Sequence, residues 1–232
     1  MSDPARTIGP VPHDSMSCGV NPIVRSGSDR NANAPGLGGL RYQILQGAAI
    51  GEQLPTLAAL RLEIFRDWPY LYEGTLDYER QYLDTYIRCP QGLAVLAWDG
   101  THCVGATTAL PLSQAEAPMQ QPFLQAGMAI DDTLYFGESV VLESHRGRGI
   151  GVAFFAQREA HAQALGLRQC AFCAVDRPAL HPLKPAHYVP NDGFWTRRGY
   201  TRHPELRCTL EWLDRGDTAP TPHTLTYWLR RL

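Results

Sequence analysis

His145-Arg146-Gly147-Arg148-Gly149-Ile150-Gly151 is the stretch on which the reading of the fold turns, because it is rich in glycine and separates two segments of different hydrophobic period. Upstream, Leu134 to Leu142 is dense in Val, Leu and aromatics and reads as a strand. Downstream, Gly149 to Leu165 sets Ile150, Ala153, Phe154, Ala160, Ala164 and Leu165 on one side of a helix that stops at Gly166. A glycine-rich strand-to-helix turn is a phosphate cradle. Without Cβ atoms its N–H groups can approach a diphosphate, the helix N-terminus contributes about half a positive charge, and Arg146 and Arg148 add to it. Glycines at 147, 149 and 151 give G-x-G-x-G, not the dinucleotide spacing G-x-G-x-x-G, and no Gly-Lys-Ser or Gly-Lys-Thr completes a P-loop.

Working outward from this loop, the pattern is mixed α/β. Toward the N-terminus, Arg41 to Gln46 reads as a strand, Thr56 to Phe65 as a helix ended by Pro69, and Leu76 to Ile87 as a second helix. Leu93 to Trp98 and Cys103 to Leu110 flank Asp99-Gly100-Thr101-His102 and form a hairpin. Ser113 to Gln125 is polar and helical in part. Toward the C-terminus come a strand at Gln169 to Val175, a proline-rich loop with Pro178, Pro182, Pro185 and Pro190, and a short helix over Asp192 to Arg198. Strands at Leu206 to Leu213 and Thr224 to Leu229 follow, and Tyr227, Trp228 and Leu229 serve either a core or a homodimer contact.

Residues 1–40 carry Pro4, Pro10, Pro12, Pro22 and Pro35 among Ser, Asn, Asp and Gly with no apolar period, and read as a flexible extension preceding one domain over 41–232. A hydrophobic share of 44% with 19% charged residues is that of an ordinary globular chain. The formal net charge of −2 leaves no global field to recruit nucleic acid or an anionic membrane. No apolar run approaches the roughly 20 residues of a membrane span and no secretory pattern opens the chain, so a cytoplasmic location is expected. Six dispersed cysteines are expected to be reduced. Cys170 and Cys173, although spaced C-x-x-C, fall in a strand where residues three apart face opposite sides of the sheet. The histidines are too dispersed for a zinc motif, so no metal is expected.

Arg146, Gly149 and Gly151 match the coenzyme A loop of the GNAT N-acetyltransferases, Gln/Arg-x-x-Gly-x-Gly/Ala, and the chain from about Arg41 onward resembles that superfamily in the order of its elements. Asp192-Gly193-Phe194-Trp195-Thr196-Arg197-Arg198-Gly199-Tyr200 is similar to the family's late helix, with Trp195 where many members place a tyrosine that protonates the departing thiolate. The resemblance implies an α/β (α+β) GNAT-like fold: a mixed, mostly antiparallel sheet of about seven strands, flanked by helices and splayed where coenzyme A binds. It implies acetyl-CoA as co-substrate, an acyl-CoA-dependent acyltransferase activity, and direct attack by a primary amine, of a small molecule or a peptide, in a ternary complex.

The same resemblance assigns residues. Val140, Val141, Leu142, Arg146, Gly147, Arg148, Gly149, Ile150 and Gly151 would bind the cofactor, and an N–H near Val140 or Val141 would polarise the thioester carbonyl. Gly137 would mark a bulge in that strand. Glu138 is the expected base, with pairing to a nearby arginine as its plain structural role, and Tyr188 the expected substitute acid. Trp68, Tyr70, Tyr72 and Glu73, three aromatics and an acid between the first two helices, would face a cationic acceptor. Two other readings keep the loop: a non-catalytic coenzyme A-binding or sensing module, and an acyltransferase using a different acyl-CoA such as succinyl- or propionyl-CoA.

Overall fold

The structure is a computed structural model that describes residues 34–35 and 39–232. The extension expected over 1–40 therefore lies almost wholly outside the described residues. Its last part enters the sheet: β1 (Ala34–Pro35) pairs antiparallel with β2 (Leu40–Gln46).

A short 3-10 turn leads from β2 into α1 (Leu54–Phe65), which begins with Pro55 at a position where no N–H is needed. α2 (Leu76–Arg88) is capped by Thr75, whose hydroxyl accepts the Tyr78 N–H at 3.3 Å, and Asp77 and Glu79 occupy its positive first turn. Cys89 ends it in an extended conformation because Pro90 follows. β3 (Leu93–Asp99) and β4 (His102–Pro111) form the expected hairpin, with Gly100 at φ +59° in its turn. α3 (Ala117–Gln125) follows. The chain continues through β5 (Thr133–Val141), α4 (Ile150–Ala164), β6 (Gln169–Val175), α5 (Asp192–Arg197), β7 (Thr201–Trp212) and β8 (Thr221–Arg231).

Among the described residues the eight strands form one sheet in the order β1-β2-β3-β4-β5-β6-β8-β7, and only β5 with β6 is parallel. This is the expected mostly antiparallel sheet, with the two-residue β1 added at one edge. Buried side chains divide into two layers. Leu57, Leu60, Leu83, Tyr86, Phe123 and Tyr227 pack under α1, α2 and α3; Phe136, Ile150, Phe154, Phe155, Phe172 and Trp228 pack under α4, with Phe194 and Trp195 of α5 beside them. β3 is covered on both faces, which is why Leu93 to Ala97 is apolar without alternation. Cys170 and Cys173 do point to opposite layers. The final strand is core, not a surface: β8 lies between β6 and β7, and Tyr227, Trp228 and Leu229 are buried.

The bounds of three elements differ from expectation by two residues or more, and so does one helix face. β7 begins five residues early because its register shifts between His203 and Arg207, a bulge that accommodates Pro204 on an edge strand. β8 is longer at both ends, and α1 starts earlier. In α4 the inward face is Ile150, Phe154, Phe155, Arg158, His161 and Ala162, whereas Ala160 and Ala164 are exposed. Two polar residues occupy the core stripe, so hydrophobicity alone assigned the stripe to the neighbouring alanines.

Candidate active site

β5 and β6 pair only at Thr133↔Gln169, Leu134↔Cys170 and Tyr135↔Ala171. Beyond that point β5 stays with β4 and β6 stays with β8, so the edges of Phe136 to Val141 and Phe172 to Val175 face each other without a shared ladder. On its other side, β5 carries a bulge. Thr107 pairs with Ser139 but Ala109 with Phe136, leaving Thr108 opposite both Gly137 and Glu138. The bulge falls where Gly137 predicts it. A Cβ at 137 would overlap the Tyr86 hydroxyl and Thr108 Oγ1, so only glycine fits.

The extra residue inverts the strand's parity. Before it, Tyr135 faces the α1–α3 layer and Phe136 the α4 layer; after it, Val140 faces the former and Val141 the latter. Glu138 thereby turns toward α1 and α2. The peptide groups follow the same logic. Leu142 N–H donates to Val104 O at 2.9 Å, so in this register Val140 and Leu142 bond to β4 while Ser139 and Val141 present their peptide groups to the open slot. Of Val140 and Val141, it is Val141 whose N–H faces the slot.

The loop after β5 ends at the N-terminus of α4. Gly147 and Gly149 have φ of +77° and +84°, and a Cβ on either would project into open space. Glycine is needed there for conformation and leaves room for a ligand. The first turn's opening bond is Ala153 N–H to Gly149 O, so the N–H groups of Ile150, Gly151 and Val152 have no acceptor within the helix. Arg146 Nε donates to Val141 O at 3.2 Å, and Arg148 Nη1 to Asp99 Oδ2 at 3.1 Å. His145 Nε2 lies 3.2 Å from the same oxygen, and Arg148 and His145 together hold the Asp99 carboxyl below its usual range. The β3–β4 turn thus clasps the loop, and Arg148 is shared between that clasp and any anion. Open glycines, aligned N–H groups and two arginines fit a diphosphate.

Where β5 and β6 part, a cavity of about 190 Å³ is lined from both layers of the molecule. Phe65, Pro69 and Tyr70 approach from α1 and the loop after it, Phe155 and Arg158 from α4, and Trp195 from α5, with Glu138 and Ser139 in the strand between. Glu138 is 3% exposed. Its Oε2 accepts from Arg61 Nη1 at 2.8 Å and from the Tyr82 hydroxyl at 3.0 Å, while Oε1 is buried with no partner among the described residues. Arg61 also pairs with the fully buried Glu79. Burial alone would lower Arg61, but Glu138, Tyr82 and Glu79 outweigh it and hold the guanidinium above its usual value. Burial, reinforced by Glu138, keeps the Tyr82 phenol protonated well beyond its normal range, and its hydroxyl lies 2.8 Å from that of Tyr86.

The remaining sequence-predicted residues divide. Tyr188 lines the cavity, packs edge-on against Trp68, and makes no hydrogen bond through its hydroxyl among the described residues. Burial and the nearby Asp192 raise its pKa, against the pull of Arg146. Tyr70 lines the cavity; Trp68 stands behind Tyr188 against His181, its buried Nε1 unpartnered among the described residues. Tyr72 and Glu73 are not brought in: Tyr72 bridges to Asp214 with its ring on Tyr78, and Glu73 pairs with Arg66 at the surface. Trp195 packs on Phe172 and Trp228, an aromatic wall of the cavity. No group of three or more His, Cys, Asp or Glu is placed to hold a metal ion, and no helix is long and apolar enough to cross a membrane, among the described residues.

The family model described as "Acetyltransferase (GNAT) family" matches residues 57–184, from α1 to the loop after β6. The chain belongs to the GNAT acetyltransferase family. Family members use acetyl-CoA as co-substrate. Three solved structures show the same fold at low identity. A ribosomal-protein-alanine N-acetyltransferase from Brucella melitensis is 15% identical with TM-score 0.53, covering 82% of this chain and 99% of its own. Arabidopsis thaliana NAA60 in complex with a bisubstrate analogue is 13% identical with TM-score 0.52, covering 82% and 97%. A protein titled a putative phosphinothricin N-acetyltransferase is 12% identical with TM-score 0.54, covering 83% and 98%. No curated protein matches the chain in sequence.

Within this GNAT frame, three arginines that shape the cavity escaped the reading of the sequence. Arg61 and Arg158 stand four residues after Leu57 and Phe154, in the apolar stripes of their helices, and that spacing is the signal that could have found them. Arg177 donates through Nε to Pro69 O at 2.7 Å and through Nη2 to Tyr70 O, and pairs with Asp214, so it pins the loop that carries Tyr70. No sequence pattern marks it.

Proposed function

We propose that this GNAT protein is an N-acetyltransferase that moves the acetyl group of acetyl-CoA to a primary amine, on a small molecule or a peptide, by direct attack in a ternary complex. The observation that carries the reading is the separation of β5 from β6 beside the glycine-rich end of α4, opening one cavity to both layers of the sheet. The N-terminal amides of α4 and Arg146 would hold the diphosphate of coenzyme A. The edge of β5 that faces the slot, through the Ser139 peptide group and the Val141 N–H, would hold the extended arm as an added strand. Bound there, acetyl-CoA supplies the activated acyl group.

The chain supplies proton handling. An amine is protonated at neutral pH and must lose a proton before its nitrogen bonds to carbon. Glu138 Oε1, the unpartnered oxygen of a cavity residue, is the acceptor for that proton, while Arg61 and Tyr82 fix the carboxylate through Oε2. As the carbon–sulfur bond breaks, the Tyr188 phenol, protonated and without another partner, donates to sulfur. Tyr70, pinned by Arg177, forms the acceptor's aromatic wall, and Trp68 backs Tyr188.

Calorimetry with acetyl-CoA on the wild type and on Gly149→Trp tests the reading. The substitution puts a large side chain at φ +84° in the loop. Binding by the wild type and its loss in a folded variant, followed by amine-dependent thiol release, is the expected result. Absence of binding by the folded wild type would overturn it.

A further inference from the structure

Arg158 is 2% exposed, lines the cavity, and has no carboxylate partner among the described residues. Among the described residues, the other arginine lining the cavity, Arg202, pairs with Asp176. Arg61 is paired with Glu79 and Glu138, and Arg177, which holds the Pro69–Tyr70 loop, with Asp214. The nearest acid in sequence, Glu159, is committed to Arg198, Arg230 and the Tyr200 hydroxyl. Arg158 itself reaches only backbone oxygens, Phe154 O from Nε at 3.3 Å and Glu138 O from Nη1 at a long 3.5 Å. Its guanidinium lies 4.0 Å from the centroid of Phe136 and 4.8 Å from that of Phe155, which orient it without neutralising it. Burial lowers its pKa to about 10 against the through-space pull of Tyr200, Cys170, Glu138 and Glu159, and it stays charged at neutral pH although no carboxylate oxygen bonds to it among the described residues.

A buried guanidinium whose nearest carboxylates act only through space leaves its hydrogen-bonding fork unfilled, and that planar fork is shaped to take a carboxylate through two parallel hydrogen bonds. We infer that Arg158 is a specificity-determining residue that binds a carboxylate entering the cavity with the reactants, close to the transferred acyl group. The inference rests on the acetyltransferase reading of the site and narrows its substrate class. Two sources carry that chemistry: an acyl donor whose chain ends in a carboxylate, or an acceptor amine bearing a carboxylate, as an amino acid does.

Two comparisons separate the sources. The first is calorimetric binding of succinyl-CoA against acetyl-CoA. The second, with acetyl-CoA as donor, is kcat/KM for an amino acid against the amine left by its decarboxylation. Wild type should favour the carboxylate form in one comparison by at least about tenfold, the scale of one charge-assisted hydrogen bond pair. Arg158→Gln should erase that preference, and Arg158→Lys, which keeps the charge without the fork, should restore part of it. A merely structural arginine would shift both members of each pair alike. No preference in the wild type, or a preference retained in folded Arg158→Gln, would overturn the inference while acetyl-CoA binding still stood. If Arg158→Gln does not fold, the wild-type preference and its reduction in Arg158→Lys decide the matter. Failure of the wild type to bind either acyl-CoA would instead remove the acetyltransferase reading beneath it.

Discussion

The cavity has two sides, and each buries an arginine close to Glu138. On the α1–α2 side Arg61 is locked between two carboxylates and a phenol, and Tyr86 extends the network. On the α4 side Arg158 has aromatic faces and two carbonyl oxygens, and the Tyr188 hydroxyl at the same cavity has no hydrogen-bond partner among the described residues. Similar burial thus has two meanings. A charge satisfied within the fold contributes to holding the fold; a charge left open is retained at a cost to stability and is available to a ligand.

The largest expected effect probes the closed side. Arg61→Met would strand Glu79 and Glu138 in the core and should lower unfolding free energy by about 3–5 kcal/mol in urea titration. A loss near zero would show that the network is not what orders that side. Next is Tyr188→Phe, which should reduce kcat about tenfold with little change in acetyl-CoA affinity, because water can replace the phenol only poorly. The sign of its pH dependence is set by the raised pKa. The phenol is the proton donor while protonated, so its contribution should persist through neutral pH and fall only above the usual tyrosine value of about 10. A wild-type kcat that declines well below that pH would assign the acid elsewhere. The smallest effect tests the open side. Arg158→Met, similar in length and apolar, should leave stability within about 1 kcal/mol of wild type or raise it. A loss as large as that of Arg61→Met would make the two sides alike and break the comparison.

Much of this was readable in the amino-acid sequence. The run Gln169 to Val175, bounded by Gly166 and Pro178, is β6 to the residue, and the glycine loop stands at the end of α4 as its composition required. Gly137 does mark the bulge. What the bulge does was not readable, because it arises from Thr108 on another strand facing two residues, and it sets the layer that Glu138 faces and which of Val140 and Val141 opens to the slot. The same holds for charge. Arg61 and Arg158 occupy equivalent places in their helical stripes, four residues after a core apolar, and nothing local says that one will meet carboxylates and the other will not. The aromatic and acidic composition of the loop between α1 and α2 groups Tyr72 and Glu73 with Trp68 and Tyr70, yet one residue beyond Tyr70, Leu71 takes φ +55° and the chain turns away toward Asp214.

Asp99 stands at the tip of a hairpin and has no part in the cavity, yet it bears on how fast and how tightly the loop can act. A segment with glycine at 147, 149 and 151 has, in isolation, wide conformational freedom, and a ligand that had to order it would bind more weakly by that lost entropy. Because Asp99 bonds Arg148 and lies within hydrogen-bond reach of His145 in the folded chain, folding already restricts part of that freedom. The hairpin tip therefore acts as a remote brace, and weakening it should appear in solution as faster backbone motion of the loop before it appears as any change in the shape of the site.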